Sequence, residues 1–410
     1  MIPYGRQSID DEDIVAVVRA LKSDYLTTGP EVDAFEKELA ERVGAKHVIA
    51  VSSGTAALHM AMAAVRIGPG DHVITSANTF LASANCAAYL GATPDFADID
   101  PVSYNLSVES LEETWQGNTK AVVAVDFAGQ PCDYPRITQL ARERGAVVIQ
   151  DASHSLGGSV AYSQEPISGL RSTTSEIQYP IGCLPGVDMT TFSFHPVKTM
   201  TTAEGGAVAT DRDDLAEFCR EFRTHGMVRD SKRFQTLEPG PWVYEMQHLG
   251  FNYRITDLQC ALGRNQLRKL DQFVQRRAEI VAHYNDAFAD LDYVTTPKLG
   301  DWLGQGSRHQ APSTTNRIAW HLYVLQINFN AIGSTRSAVM EKLREAGVGT
   351  QVHYIPVHLQ PWYRENFGYC LGKCPNVESY YQRCLSLPLY PAMTDRDVRT
   401  VIATVKMILP

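Results

Sequence analysis

Lys198 is the residue whose setting points most directly to chemistry. It lies in TTFSFHPVKTMTTAEGGAVAT (190–210), where it follows a predicted strand and a proline and precedes a glycine-rich turn. Because its flanks are apolar and small, the amine can be partly desolvated and therefore nucleophilic near neutral pH. Such an amine can form a Schiff base with a carbonyl group. The alternative is a solvated surface lysine, which is the commonest fate of a single lysine.

An acidic side chain ends another apolar run, VVIQDASHS (147–155). Asp151 lies where a buried strand would deliver it into a ligand crevice, and an unpaired carboxylate there is costly. A protonated pyridine nitrogen is a suitable partner, because the carboxylate keeps that nitrogen cationic and lets the ring accept electrons. His154, three residues on, could donate a hydrogen bond to a ring oxygen. Both residues are equally compatible with an ordinary polar turn.

A third segment, SSGTAALHMAMAA (52–64), places small polar residues where an apolar run ends and a helix is predicted to begin. Free backbone N–H groups and the helix dipole make such a turn attractive to an anion. The hydroxyls of Ser53 and Thr55, with Ser193 just upstream of Lys198, complete a candidate phosphate site. By itself the segment is also consistent with the ordinary N-cap of a helix.

The elements that must position these side chains alternate between two patterns in the first half of the chain. Apolar, β-branched runs predict strands at HVIAV (47–51), HVITS (72–76), AVVAVDF (121–127) and AVVIQD (146–151). Helices are predicted between them, over 56–65, 108–114 and 137–144. Continuous apolar strands separated by helices indicate a mostly parallel sheet covered on both faces. Ligands of such sheets lie beyond the carboxyl ends of the strands.

The pattern changes near residue 256. Thr256 and Gln259 have the spacing of a capping box, and apolar residues then recur every three to four positions as far as Phe288. This spacing predicts a long amphipathic helix. Beyond it, the sequence predicts a strand over 321–329 and a helix over 337–347. We therefore expect two domains, residues 1–255 and 256–410.

Composition and charge restrict the class of protein further. The formal net charge is -9 and no basic run occurs, so neither nucleic acid nor an anionic membrane surface is an expected partner. The N-terminus turns acidic where a secretory signal would be apolar. The eight cysteines form no C-x-x-C pair, which favours reduced thiols and a cytoplasmic protein. A metal site at Cys370 and Cys374, with His353 or His358, matches no common zinc pattern, and we expect no metal.

Taken together, these motifs resemble the sugar aminotransferases of the DegT/DnrJ/StrS family. The resemblance rests on Asp151-x-x-His154, FSFHPVK (192–198) and EGGA (204–207), supported by SSGTAAL (52–58), NTF (78–80) and LGFNYRITDLQCALG (249–263). The blocks occur in the family's order and cover nearly the whole chain. The resemblance implies the α/β fold of PLP-dependent transferases of fold type I, like aspartate aminotransferase. It also implies a large domain with a mostly parallel sheet and a smaller C-terminal α+β domain.

The resemblance assigns roles to individual residues. Pyridoxal 5′-phosphate (PLP) is the implied cofactor, with Lys198 as its Schiff-base lysine and Asp151 paired with its ring nitrogen. His154 is expected beside the ring's phenolic oxygen, and Phe80 stacked on the ring. The phosphate is expected at Ser53, Gly54, Thr55 and Ser193, with Asn252 reaching in from the other subunit of a homodimer. The family's nucleotide-sugar site matches Tyr4, Tyr25, Leu26, Thr27, Tyr253, Gln351, Val352, His353 and Tyr354.

Within the family, the chain most resembles the transaminases that make UDP-4-amino-4,6-dideoxy-N-acetyl-β-L-altrosamine on the route to pseudaminic acid. The matching strings are IPYGRQ (2–7), DYLTTGP (24–30), VDFAGQPCD (125–133), RTHGM (223–227) and QVHYIPVH (351–358). The implied substrate is a UDP-4-keto-6-deoxy-N-acetylhexosamine such as UDP-4-keto-6-deoxy-β-L-AltNAc. The implied amino donor is L-glutamate. Several strings are shared with enzymes acting on other nucleotide 4-ketosugars, which remain an alternative.

Two stretches rich in Ser, Gly, Pro and Thr, Ser163–Gly186 and Gly300–Thr315, predict exposed loops. The first resembles an insertion relative to the family, and it leaves the shape of the sugar pocket open. Two other functions compete with transamination. A dehydratase of the same fold would carry histidine in place of Lys198. A non-enzymatic regulator could keep the fold, although every expected catalytic position is filled here.

Overall fold

The structure is a computed structural model that describes residues 1–163, 176–235, 240–303 and 316–409. Its strands are β1 (His47–Val51), β2 (His72–Ser76), β3 (Thr93–Ala97), β4 (Thr119–Val125), β5 (Val147–Asp151), β6 (Ser159–Ser163), β7 (Glu176–Pro180), β8 (Met189–Ser193), β9 (Gly206–Thr210), β10 (Met227–Val228), β11 (Glu245–Met246), β12 (Val294–Thr295), β13 (Tyr323–Ile327) and β14 (Cys384–Leu387). Its α-helices are α1 (Asp11–Leu21), α2 (Pro30–Val43), α3 (Gly54–Ala64), α4 (Ala82–Tyr89), α5 (Val108–Thr114), α6 (Tyr134–Glu143), α7 (Asp213–Phe222), α8 (Asp257–Phe288), α9 (Arg336–Glu345), α10 (Pro361–Phe367), α11 (Pro375–Arg383) and α12 (Asp395–Ile408).

Seven strands form the central sheet, in the order β1-β9-β8-β5-β4-β2-β3. The pairs from β8 to β3 are parallel, whereas β9 runs antiparallel to both β8 and β1. Apolar clusters cover both faces of the sheet, one of them built with α2, α6 and α8 and the other with α3 and α7. The mostly parallel, doubly covered sheet expected from the continuous apolar strands is thereby confirmed, and it agrees with the sheet that fold type I implies.

Element positions agree closely with the sequence patterns. The strands predicted over 47–51 and 72–76 and the helix over 108–114 are confirmed residue for residue. The strand predicted over 121–127 lies instead at 119–125, because residues Phe127–Gly129 turn into a short 3-10 helix. The capping box of α8 is present, with Thr256 and Gln259 bonding each other's backbone N–H groups.

The prediction of an exposed loop over Ser163–Gly186 is wrong for the part of it that the structure describes. Strand β7 pairs with β6 in a hairpin, and Ile181 and Leu184 are buried in the main core. The prediction failed because it was based on composition, and the many Ser, Gly and Pro residues around these two apolar side chains outweighed them. Gly300 and Leu303 are likewise buried at the start of the second predicted loop. Residues 164–175 and 304–315 lie outside the described residues.

Helix α8 spans two separate cores. The part of the helix up to Val274 contributes Leu270 and Val274 to the cluster against the large sheet. The rest of the helix contributes Ile280 and Tyr284 to a cluster with α9, α12 and the three-stranded sheet β12-β13-β14. The expected division into residues 1–255 and 256–410 stays a prediction. In the described ranges, no helix combines the length and the apolar character that crossing a bilayer requires.

Helix α2 begins without a side-chain cap of its own, because its N-cap is Gly29. Asp257, at the start of α8, supplies the missing acceptor. Its Oδ2 accepts from Gly29 N at 2.8 Å and its Oδ1 accepts from Glu31 N at 3.0 Å. The carboxylate is fully buried, and it is stable there because hydrogen bonds and the helix dipole replace its hydration.

Asp257→Ala is expected to lower the free energy of unfolding by about 2–3 kcal/mol, since one buried and one partly buried N–H group lose their acceptor. The shift of the urea midpoint, followed by circular dichroism, measures this loss. Asp33→Ala removes an exposed carboxylate from the first turn of the same helix and should cost only about 0.5 kcal/mol. Equal losses in the two variants would show that Asp257 acts on the helix dipole and not as a cap.

Candidate active site

The phosphate-binding turn, the carboxylate and the lysine predicted from the sequence converge on one cavity of about 610 Å³. It opens where β1, β5 and β8 end and α3 begins, which is the ligand side expected of a parallel sheet. Segments near the N-terminus and after α9 close the opposite wall. The predicted site residues that line the cavity are Tyr4, Ser53, Gly54, Thr55, Phe80, Asp151, His154, Ser193, Lys198, Gln351, Val352, His353 and Tyr354.

Lys198 lies on the turn that follows β8. Its N–H donates to His195 O at 2.9 Å, and its own carbonyl accepts from Arg277 Nη2 at 3.2 Å. The side chain is half-buried and lines the cavity, with protein atoms around it. This burial lowers the pKa of Lys198 to about 8, although the negative charge of Asp151 acts in the opposite direction. The amine therefore exchanges protons readily near neutral pH.

Asp151 is only 5% exposed and ends β5 on the cavity side. Ser83 Oγ donates to its Oδ2 at 2.7 Å, and Ser153 N donates to its Oδ1 at 3.2 Å. A carboxylate oxygen has room for more than one hydrogen bond. Each oxygen of Asp151 accepts one bond from Ser83 or Ser153, so it has capacity left for a cationic N–H group in the cavity. Ser83 was not predicted from the sequence, where the nearby NTF motif was its only signal.

A hydrogen bond from a neighbouring backbone N–H group sets the tautomer of His154. Ala128 N donates to His154 Nδ1 at 3.3 Å, so the ring proton lies on Nε2. Burial, together with the charges of Lys198 and His353, lowers the pKa of His154 well below its usual value. The ring is thus neutral and presents an N–H donor at Nε2, which lies 3.5 Å from the hydroxyl of Tyr354.

The turn at the start of α3 has features of both alternatives that the sequence left open, a helix N-cap and a candidate phosphate site. Ser53 is the N-cap, since its Oγ accepts from Ala56 N at 3.1 Å. Gly54 and Thr55 are the first residues of the helix, where backbone N–H groups lack intrahelical acceptors, and both line the cavity. A Cβ on Gly54 would lie 2.8 Å from Ser193 Cβ. These two segments approach each other closely at the mouth of the turn, where the free N–H groups would suit a small anion.

Aromatic and imidazole rings form the remaining walls. Phe80 is 58% exposed toward the opening, and its ring centroid lies 6.5 Å from that of Tyr354. His353 bonds Ser386 Oγ through Nδ1 at 2.7 Å and packs against Tyr4. His321 was not predicted from the sequence, because it stands at the head of a plain apolar strand. Its ring packs against that of His154 at a tilt of 41°, with 4.3 Å between ring centroids.

Five predicted site residues do not line this chain's cavity: Tyr25, Leu26, Thr27, Asn252 and Tyr253. Tyr25 and Leu26 are exposed, and Asn252 forms a backbone bridge with Thr224. The hydroxyl of Tyr253 bonds His59 Nδ1 at 2.8 Å. Their assignment to a substrate or phosphate site stays a prediction. The candidate metal ligands do not converge either, since the described residues contain no cluster of three or more His, Cys, Asp or Glu that could hold a metal ion.

Known proteins resemble this chain along its whole length. The spore coat polysaccharide biosynthesis protein SpsC of Bacillus subtilis (strain 168) is 42% identical over 410 residues, covering 100% of this chain and 97% of that protein. Helicobacter pylori PseC, an aminotransferase involved in the biosynthesis of pseudoaminic acid, superposes with a TM-score of 0.84 at 28% identity, covering 100% of this chain and 99% of that one. Spr1654 of Streptococcus pneumoniae in its PLP form gives 0.83 at 27% identity, covering 99% and 98%.

The sequence profile of the DegT/DnrJ/EryC1/StrS aminotransferase family matches residues 7–406. That range contains the turn at α3, the carboxylate at the end of β5 and the lysine after β8. The chain therefore belongs to the DegT/DnrJ/EryC1/StrS aminotransferase family and is a pyridoxal 5′-phosphate-dependent aminotransferase.

Proposed function

We propose that this enzyme transfers an amino group from L-glutamate to the C4 keto group of a nucleotide sugar. The proposed substrate is a UDP-4-keto-6-deoxy-N-acetylhexosamine such as UDP-4-keto-6-deoxy-β-L-AltNAc. The products are the 4-amino sugar nucleotide and 2-oxoglutarate, in a pathway of the pseudaminic acid type. The observation that carries this proposal is a half-buried amine with a lowered pKa at Lys198, which shares its cavity with Asp151 and a wall of tyrosine and histidine side chains.

The cavity has the donors and the space that the cofactor requires. Its phosphate would be held at the N-terminus of α3 by Gly54 and Thr55, with the hydroxyls of Ser53 and Ser193 beside them. Its ring would lie between Asp151 and the exposed face of Phe80. The N–H at His154 Nε2 would donate to the phenolic oxygen. Bound there, PLP supplies an aldehyde and a protonated ring that accepts the electron pair released at a neighbouring carbon.

The chain's own groups move the protons. Lys198 Nζ acts as the general base that removes a proton from the donor α-carbon, and as the acid that returns one. Since burial lowers its pKa to about 8, the amine and ammonium forms are both accessible at physiological pH. His154 is held neutral and therefore acts as a hydrogen-bond donor, while Asp151 retains the positive charge on the ring nitrogen.

The substrate assignment is tested by running the enzyme in reverse. The purified protein, 2-oxoglutarate and a panel of UDP- and dTDP-linked 4-amino sugars are combined, and formation of the keto sugar is followed. UDP-4-amino-4,6-dideoxy-N-acetyl-β-L-altrosamine is expected to react fastest. A preference for another amino sugar would favour a different nucleotide 4-ketosugar, which is consistent with the name of SpsC as a protein of spore coat polysaccharide synthesis.

Gly54→Ala is expected to weaken PLP binding at least about 10-fold, because the added methyl group meets Ser193 Cβ at 2.8 Å and widens the proposed phosphate site. Titration of the protein with PLP, followed by absorbance, measures the affinity. Gly68→Ala is the matched control, since a Cβ there meets nothing within 4 Å. Unchanged affinity in Gly54→Ala would place the phosphate elsewhere.

Asp151→Asn is expected to retain cofactor but to lower kcat about 100–1,000-fold, the range for losing a preorganised electrostatic partner. A neutral amide cannot keep the ring nitrogen protonated. Single-turnover kinetics with saturating PLP measure the effect, and Asp33→Asn, an exposed carboxylate outside the cavity, serves as the control. Near-normal kinetics would reduce Asp151 to a turn residue.

We further propose a homodimer whose active sites are shared between subunits. The support is the position of the five predicted residues that do not line this chain's cavity, together with large exposed apolar side chains near them. Leu249 is 77% exposed and Phe251 41%, both beside Asn252. A polar residue on such a segment can serve the site of a second copy related by two-fold symmetry.

Complementation between two inactive variants tests this arrangement. Lys198→Ala removes the amine, and Asn252→Asp sets a carboxylate against the cofactor phosphate. In a mixed dimer, one site carries both lesions and the other neither, so activity should return to about half of the wild-type value per dimer. Differently tagged subunits are co-expressed, and the heterodimer is purified through both tags. A verified heterodimer as inactive as its parents would place both residues in the site of one chain.

A further inference from the structure

Arg277 is a buried cation whose hydrogen bonds go to backbone carbonyls. It lies in the middle of α8 and is 1% exposed. Nη1 donates to Leu389 O at 2.7 Å and to His321 O at 3.3 Å, and Nη2 donates to Lys198 O at 3.2 Å. Within the described chain, its Nε has no hydrogen-bond partner and no carboxylate pairs with the guanidinium.

The carbonyls that Arg277 bonds belong to three distant segments. One is the Lys198 turn after β8, one precedes β13 and one follows β14. Arg277 lies on α8 between Val274 in the core of the large sheet and Ile280 in the C-terminal core. One planar fork of donors thus connects the lysine turn to the segments that flank β13 and β14 of the C-terminal sheet, a geometry that guanidinium provides and ammonium does not.

Keeping this cation in the interior is costly. Burial lowers the pKa of Arg277 to about 9, which still leaves the group charged at neutral pH. An isolated buried charge without a counter-ion is rare. An apolar side chain of similar length would fill the same volume without the desolvation cost of a buried charge. What arginine adds at this position is its hydrogen bonds to the backbone carbonyls.

We infer that Arg277 is a positioning residue that fixes the Lys198 turn against the C-terminal segments and so sets where Lys198 Nζ lies in the cavity. The inference rests on the proposed role of Lys198 as the reacting amine. The turn is held at both of its polar backbone groups, because Lys198 N already donates to His195 O. With the backbone fixed, only side-chain torsions remain to place the amine.

The same fork reaches the far wall of the cavity. His321, whose carbonyl accepts from Arg277, donates its own N–H to Ala128 O at 2.9 Å. Ala128 N in turn donates to His154 Nδ1. Loss of Arg277 therefore releases the lysine turn and the support of His321 together. Water then reaches the amine more easily, which moves its titration back toward that of an ordinary lysine.

The test measures Lys198 directly in the full-length protein without cofactor. Lys198 is labelled with acetic anhydride at a series of pH values, and the modified peptide is quantified by mass spectrometry. The charged or titratable groups that influence this amine, or that it influences, are Asp151, His154, His321 and His353. None of them is changed in the variants.

The variants are Arg277→Met, Arg277→Lys and the matched control Arg276→Met. Arg276 is the neighbouring residue on α8 and bonds Met393 O and Asp395, away from the lysine turn. The labelling midpoint of wild-type Lys198 is expected near 8. Both Arg277 variants should raise it by about one pH unit, and in the cofactor-loaded enzyme they should lower kcat about 100-fold with little change in KM. Arg276→Met should leave the midpoint and kcat unchanged.

A wild-type midpoint and kcat in folded Arg277→Met or Arg277→Lys would overturn the inference, as would an equal shift in Arg276→Met. Arg277→Lys decides alone if Arg277→Met does not accumulate. Loss of the fold in both variants would assign Arg277 a purely structural role and also overturn it. The labelling measurement needs no substrate, so it still judges Arg277 if the nucleotide-sugar assignment fails in the reverse assay.

Discussion

The partial burial of the amine of Lys198 is the constraint on which the proposed chemistry depends. A lysine in water would stay protonated at neutral pH and would neither attack a carbonyl nor remove a proton from carbon. Here the surrounding protein lowers its pKa to about 8. The negative charge of Asp151 raises the pKa of Lys198 and so limits the lowering that burial causes. The neutral histidines around them add hydrogen-bond donors to the cavity without adding a competing positive charge.

The sheet explains why so few residues suffice to build the site. Three strands end at one edge, and each places a different chemical group there: the free N–H groups of the turn after β1, the carboxylate at the end of β5 and the amine after β8. The glycine-rich turn between β8 and the antiparallel strand β9 lies at the same edge. Gly206 is required there, because a Cβ would lie 2.4 Å from Ser53 O. Other wall residues come from outside the sheet: Tyr4 lies near the N-terminus, and His353 and Tyr354 follow α9.

Sequence patterns predicted what depends on local order and missed what depends on distant contacts. Continuous apolar runs marked β1 and β2, because a strand buried on both faces needs them, and the residues at their carboxyl ends were therefore readable as site candidates. Ser83, His321 and Arg277 carry no such local signal, since each becomes important only through a partner more than 40 residues away. Strand β7 and the residues after it were predicted as a loop, because the polar composition of Ser163–Gly186 outweighed its few buried apolar side chains.

The cap that Asp257 places on α2 also bears on how the chain folds during synthesis. The backbone N–H groups of residues 29 and 31 can donate to Asp257 only after residue 257 has been synthesised. Likewise, β1 can pair with β9 only after β9 has been synthesised. The N-terminal helices and the first strand of the sheet therefore leave the ribosome well before the segments that complete them. Synthesis proceeds at roughly 5–20 residues per second, so this apolar material stays unprotected for about 10 seconds or longer. In such an interval a chain can aggregate or be bound by chaperones. The early segments therefore carry an aggregation risk during synthesis that is absent once the fold is complete.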